Sequence, residues 1–223
     1  QTGLPIGTFY GLQTDGIFQN QAEIDAHAIQ AGAQPGDIRF VDVDDDGVVE
    51  FGSEDDLAVL GNPIPDMTLG FNLNMDYKGI DFATSLYASV GNKAARSYER
   101  FLTYSNKSRI YLDRWTGEGT SNTTPRASTN ASNNYLFSDF FVEDASFLRI
   151  QNVQLGYSIP ASTLEKIKMD KLRVYIAANN LYTFTKYSGY NPDVSNANPA
   201  AAGVDLGQYP QTRTFTLGIN VSF

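Results

Sequence analysis

The chain has 223 residues, of which 42% are hydrophobic and 13% aromatic, with no cysteine, one histidine and a formal net charge of −9. The lack of cysteine excludes a disulfide framework and any thiolate-ligated zinc or iron–sulfur site, and His27 alone excludes a multi-histidine metal site. With an isoelectric point near 4.5, a nucleic-acid partner is not expected, because neutralising phosphate needs clustered Lys and Arg.

No run approaches the roughly 18 apolar residues of a membrane helix. Strands that cross a membrane are a different matter: they alternate apolar and polar residues and keep mean hydropathy low, and here it is −0.28. The opening QTGLPIGTFYG has neither a basic stretch nor an apolar one, so no signal peptide is expected in it.

In chain order, the first predicted strand is 7–18 (GTFYGLQTDGIF), with loose alternation. A long connection, 19–65, follows; His27 lies there in EIDAHAIQAG, predicted as a short helix in which it is solvated or capping. Strands at 66–77 and 80–90 alternate in one parity: Met67, Leu69, Phe71, Leu73, Met75 and Tyr77, then Ile80, Phe82, Thr84, Leu86, Ala88 and Val90. The Lys78-Gly79 pair between them predicts a β-hairpin, and each arm has about the length a tilted strand needs to cross a bilayer.

The second long connection, 91–145, contains RIYLDRWTGEG and a polar tract at 117–134. Tyr104, Tyr111 and Trp115 are its candidates for stacking on sugar rings. A strand at 146–159 changes parity near Gln151-Asn152, as a β-bulge would make it do. A short turn, Ala161–Asp170, leads to a strand at 171–184; after a third long connection, 185–212, the strand at 213–223 alternates strictly and ends on Phe223.

Short and long connections therefore alternate, which is the asymmetry of outer-membrane barrels with short periplasmic turns and long extracellular loops. A soluble sandwich would also alternate along its strands. Strand length, aromatic residues near strand ends and the loop asymmetry favour the barrel. Six strands cannot close one in lipid, where eight is already small, so the chain is expected to be a piece of a longer polypeptide or to pair with other chains.

The first long connection carries DIRFVDVDDDGVVEFGSEDD. Asp42, Asp44, Asp46 and Gly47 match the opening of a calcium loop, with the Val48 carbonyl at the seventh position. The twelfth position is Ser53, where a closing Glu would belong, and Glu50, Glu54, Asp55 and Asp56 lie near. The expectation is Ca²⁺ in a loop-stapling role, against a solvated acidic turn. No catalytic constellation is present, because adjacent carboxylates do not make the separated, facing pair of a glycosidase.

Four ordered segments resemble the late barrel region of SusC/RagA-like TonB-dependent outer-membrane transporters. They are the acidic loop with the strand entry Gly61-Asn62-Pro63-Ile64-Pro65-Asp66, FLRIQNVQLGYSIP from Phe147, NLYTFTKYSGYNPD from Asn180, and the terminal YPQTRTFTLGINVSF. The interval after Gly47 is about three residues longer than the family's pattern, which makes Asp56 the positional match for the closing ligand. The resemblance implies an all-β fold, a transmembrane antiparallel barrel of 22 strands of which this chain is about the last six. It implies a plug domain, TonB, a SusD-like surface lipoprotein and outer-membrane lipid as partners, import of oligosaccharides or peptides, and no enzymatic activity. Phe223 then resembles the carboxyl-terminal signal for barrel assembly. The alternative is a soluble, acidic, calcium-stapled β-module that binds carbohydrate.

Overall fold

The computed structural model describes residues 3–98, 108–128, 132–165, 168–194, 196 and 198–223. In chain order its strands are β1 (Phe9–Leu12), β2 (Thr14–Ile17), β3 (Ile29–Gln30), β4 (Ile38–Phe40), β5 (Val48–Val49), β6 (Leu57–Gly61), β7 (Met67–Tyr77), β8 (Ile80–Val90), β9 (Lys93–Arg96), β10 (Val142–Asp144), β11 (Phe147–Ser158), β12 (Lys171–Thr185), β13 (Val204–Asp205) and β14 (Thr214–Ser222). Two four- to five-residue α-helices, α1 (Gln21–Asp25) and α2 (Ala161–Leu164), and several short 3-10 turns accompany the strands. They divide between two compact units.

The first is a five-stranded antiparallel sheet in the order β14-β12-β11-β8-β7. Its register turns the alternation of each strand into rows across the sheet. Met75, Phe82, Leu155, Ile176 and Leu217 are successive partners, as are Tyr77, Ile80, Tyr157, Val174 and Ile219. All of these share one face, because side chains alternate with period two and a one-residue slip would reverse every one of them. The parity change in β11 is a register shift between Ile150 and Asn152, which carries Leu148 and Ile150 onto the same face as Val153 and Leu155. β12 absorbs an irregularity at the same level, with Asn180 at φ 50°.

Among the described residues that apolar face is uncovered: Leu217 is 75% exposed, Phe215 70% and Ile176 56%. The opposite face is polar. Asp81 and Arg173 form an ion pair on it, with Arg173 Nε donating to Asp81 Oδ1 at 2.8 Å, across the intervening Gly156 of β11. A Cβ on Gly156 would collide with both charged groups, and one on Gly218 would enter the Tyr175 ring. The two glycines leave room for side chains that run laterally across the sheet.

The second unit comprises 1–63, 93–143 and 194–207. Short pairs build it: β1 with β6 and β2 with β4 antiparallel, β3 with β5 parallel, and the order β10-β9-β13. Leu12, Ile38, Phe40 and Val49 form its core, with Phe51, Leu57, Leu136 and Phe140 packed around them.

This unit corrects the reading of 7–18 as one membrane-length strand. The segment makes two four-residue strands, β1 and β2, and both pair within the second unit and not with the five-stranded sheet. Phe9, Gly11 and Leu12 are all buried, so protein covers both faces of β1. The described parts of the long connections are likewise not open loops. They supply most of this packed unit.

Candidate functional site

The acidic loop is shaped by its own carboxylates. Asp44 Oδ1 accepts from the Asp46 backbone N–H at 3.3 Å, Asp46 Oδ1 from Val48 N–H at 2.8 Å, and Asp42 Oδ2 from Gly47 N–H at 2.8 Å. Asp45 and Gly47 take φ values of 59° and 90°, which suit residues of turns that visit the left-handed region. Asp56 is fully buried and folds back over the loop, accepting from Val43 N–H at 2.7 Å and Glu50 N–H at 2.6 Å.

Asp42, Asp44 and Asp56 each place a carboxylate oxygen within 4.8 Å of the other two. Asp42 Oδ1 is shielded from water and has no hydrogen-bond donor among the described residues. Of the predicted ligand set, the structure thus brings together Asp42, Asp44 and Asp56. The Asp46 carboxylate is outside that cluster and caps Val48, which itself begins β5 opposite Ile29. The Asp44 carboxyl is raised above its ordinary value, first by partial loss of water, then by the negative charge of Asp46 and Asp56. Three like charges converging on an orphaned, shielded oxygen are an unfavourable arrangement by themselves, and hard oxygen donors of this kind suit a divalent cation. The residues present fit Ca²⁺.

The aromatic candidates are placed differently. Trp115 is half-buried, donates its indole N–H to Gln19 Oε1 at 3.2 Å, and lays its ring against Gly36. Tyr111 is half-buried in the 3-10 turn Arg109–Asp113, where its carbonyl accepts from Arg114. Tyr104 lies outside the described residues. His27 is half-buried beyond the end of α1, with Nε2 2.8 Å from the Phe40 carbonyl and its ring edge-on to Phe18. Its place is therefore structural. Phe223 is 82% exposed at the end of β14.

Gly36 has φ 89° and its Cα faces the Trp115 ring, which leaves no space for a Cβ. Gly36→Ala is expected to destabilise the second unit by about 2–3 kcal/mol through backbone strain and overpacking together. Faster proteolysis of 19–65 and a shift in Trp115 fluorescence would measure it; an unchanged cleavage rate would show that the Trp115 contact carries no energy.

Two polar clusters escaped the sequence reading. Asp37, fully buried, pairs with Arg126 at 2.8 Å and accepts from Asn134 Nδ2 and the Gln34 N–H; Asn134 in turn accepts from Ile38 N–H. On the polar face of the sheet, Arg149 donates to Asn191 Oδ1 at 2.9 Å and Thr183 Oγ1 at 3.1 Å, and lies over the Phe147 ring. The only signal for the second was Arg149 on the polar parity of an otherwise apolar strand. The first carried none, since its members are about 90 residues apart.

A sheet of membrane-length strands, apolar on one side and polar and ion-paired on the other, defines a segment of a β-barrel of the bacterial outer membrane. Comparison with known proteins agrees. The chain is 32% identical over 230 residues to TonB-dependent receptor P3 of Formosa agariphila, covering 99% of this chain and 22% of that receptor. It is 34% identical over 191 residues to TonB-dependent receptor SusC of Bacteroides thetaiotaomicron, covering 82% of this chain and 17% of SusC. The structure of the RagAB peptide transporter superposes with a TM-score of 0.72 at 25% identity, over 97% of this chain and 22% of that one. No protein-family model matches. The chain belongs to the SusC/RagA-like TonB-dependent receptors, and it spans about a fifth of the length of the curated relatives it matches.

Proposed function

We propose that the chain is the carboxyl-terminal part of the barrel of a TonB-dependent nutrient importer, one that takes up oligosaccharides or peptides together with a SusD-like surface lipoprotein. The observation that carries this reading is the uncovered apolar face backed by a polar one. A soluble protein rarely leaves so large a contiguous apolar surface in water, and in a bilayer the same surface is the low-energy choice. The edge strands β7 and β14 each have one neighbour among the described strands, and an open edge in hydrocarbon leaves backbone groups unpaired at several kcal/mol each. The remainder of the same barrel supplies those neighbours, and a plug domain and TonB belong to the same machine.

In this reading the long connections face outward and the second unit is the surface on which substrate and lipoprotein are met, with Trp115 and Tyr111 as its aromatic contributors. Two experiments test it. The complete polypeptide should show heat-modifiable gel migration and need detergent to stay monomeric; folding as a monomer in plain buffer would defeat the reading and favour the soluble carbohydrate-binding module. Growth of a deletion strain on defined oligosaccharides or peptides as sole carbon source then separates the two substrate classes.

Ca²⁺ bound by Asp42, Asp44 and Asp56 would hold the loop to β5 and supply no chemistry beyond charge neutralisation. Calcium is expected to stabilise the extracellular unit by about 2.7 kcal/mol at a hundredfold excess over Kd, read as a rise in melting temperature, with Asp42→Asn removing the gain. An identical titration for wild type and D42N would sink the site. The pH dependence follows from Asp44, whose folded-state value lies above the ordinary 3.8. Its contribution to the metal-free loop is present below 3.8 and is lost as pH rises through the raised value. Added Ca²⁺ should reverse that loss, because the cation favours the ionised form.

A further inference from the structure

The five-stranded sheet contains a cleft that none of the roles above uses. We propose that it receives a carboxylate of the imported substrate, gripped by Arg213; this rests on the transporter reading and narrows the substrate to acidic oligosaccharides or acidic peptides.

The cleft forms because β14 stops short. Its first residue, Thr214, pairs with Asn179, so β12 from Asn180 to Thr185 has β11 on one side and no described strand on the other. The resulting space, about 270 Å³, is bordered by Arg149, Thr183, Thr185 and Asn191, together with Gln211 and Arg213. Arg149 and Thr183 are register partners on the polar face, joined by a 3.1 Å hydrogen bond from Arg149 Nε to Thr183 Oγ1, and Thr185 shares their parity. Tyr182, on the apolar parity, also borders the space, as expected at a strand edge left open on one side. The cleft is thus built largely from the polar side of the sheet, which the transporter reading turns toward the lumen. It lies at the end of β12 remote from the short connections 78–79 and 161–170, and the same reading places that end at the outward mouth. Substrate arriving from outside meets it early.

Charge decides what the cleft takes. The chain carries a net charge of −9, yet none of the bordering residues is acidic and two are arginines. The other arginines of the same unit are committed: Arg173 to Asp81, and the almost fully buried Arg149 to Asn191, Thr183 and Asp193. Arg213 is exposed and has no ion pair or hydrogen bond among the described residues. Its backbone is tied to the cleft through the preceding residue, because Asn180 Nδ2 donates to the Thr212 carbonyl at 3.2 Å. A free guanidinium grips a carboxylate through two parallel hydrogen bonds. The Gln211 amide and the Tyr190 phenol, which also border the space, offer polar groups to the hydroxyls or amides that flank such a carboxylate. Small-ligand pockets begin at about 300 Å³, so this one takes a single residue of an oligomer and not its whole length. A neutral sugar would leave the guanidinium to water, and a cationic group would be repelled by it.

The test uses the complete transporter purified in neutral detergent. Calorimetry compares two matched pairs, an oligogalacturonate with its methyl ester and a glutamate-rich peptide with its glutamine counterpart, on wild type, Arg213→Gln and Arg213→Lys. In one pair the acidic member is expected to bind about tenfold more tightly than the neutral one, the worth of a charge-assisted hydrogen bond, and the pair that shows it tells sugar from peptide. R213Q should bring the acidic member down to the neutral one and leave the neutral one unchanged, with R213K keeping part of the preference and heat-modifiable migration the same in all three. A wild type that prefers the acidic member in neither pair overturns the proposal, as does a preference that survives R213Q. Equal weakening of acidic and neutral members in R213Q overturns it too, leaving Arg213 a contact for the plug domain. Absence of heat-modifiable migration in the wild type defeats the barrel reading instead, so the two failures are distinguishable.

Discussion

Leu217→Arg is expected to prevent the transporter from reaching the outer membrane as a folded barrel. Leu217 lies near the middle of β14, 75% exposed on the apolar face, in the row of Ile176, Leu155, Phe82 and Met75. A cation on a lipid-facing strand costs about 2–4 kcal/mol at the bilayer midplane and about 0–1 near the interfaces. That is a large share of a net stability of roughly 5–15 kcal/mol. A basic substitution on the other face, Asn72→Lys, points away from lipid and should leave assembly near wild type. The measurement is the fraction of outer-membrane protein that migrates as the unheated, compact band. Equal loss in both variants, or in neither, would mean that the two faces of the sheet are not lipid and lumen.

The second large effect belongs to Asp37. Its carboxylate is fully buried and gathers Arg126, Asn134 and the Gln34 N–H from three parts of the chain. Removing one member of a buried ion pair leaves the others unsatisfied, at about 3–5 kcal/mol. Asp37→Ala should therefore open the second unit while leaving the five-stranded sheet assembled. Hydrogen exchange resolved by segment checks this directly: protection should drop at Ile38 and Phe40 and persist across β11 and β12. Asp37→Asn, which keeps the shape and one acceptor, is expected to lose less. A uniform loss of protection in both units would contradict their separate cooperativity.

The two variants also mark how far the sequence could be read. The apolar rows were legible because a strand's side chains alternate with a fixed period and each strand reports its own two faces. The bulge in β11 was legible for the same reason, as a parity change between Ile150 and Val153. The lateral Asp81–Arg173 pair was not legible, because Gly156, which makes room for it, reads in the sequence as one more small residue on the polar parity. The acidic loop declared itself by spacing, although only Asp42, Asp44 and Asp56 converge, while Asp46 turns to cap Val48. The segment 7–18 misled because short apolar runs look alike whether the second face meets lipid or protein.

The amino-acid sequence by itself determined the all-β class, the membrane-length strands and which side chains share a face, since these follow from local periodicity and turn chemistry. It also carried the family resemblance, through four ordered motifs. Only the tertiary structure decided that the long connections pack into a unit of their own, that 7–18 pairs there, that Asp37 is buried with Arg126, and that β14 stops short of the end of β12. Each of these depends on contacts between residues far apart in the chain, and no local pattern encodes which distant partner will satisfy a buried charge or leave a strand edge open.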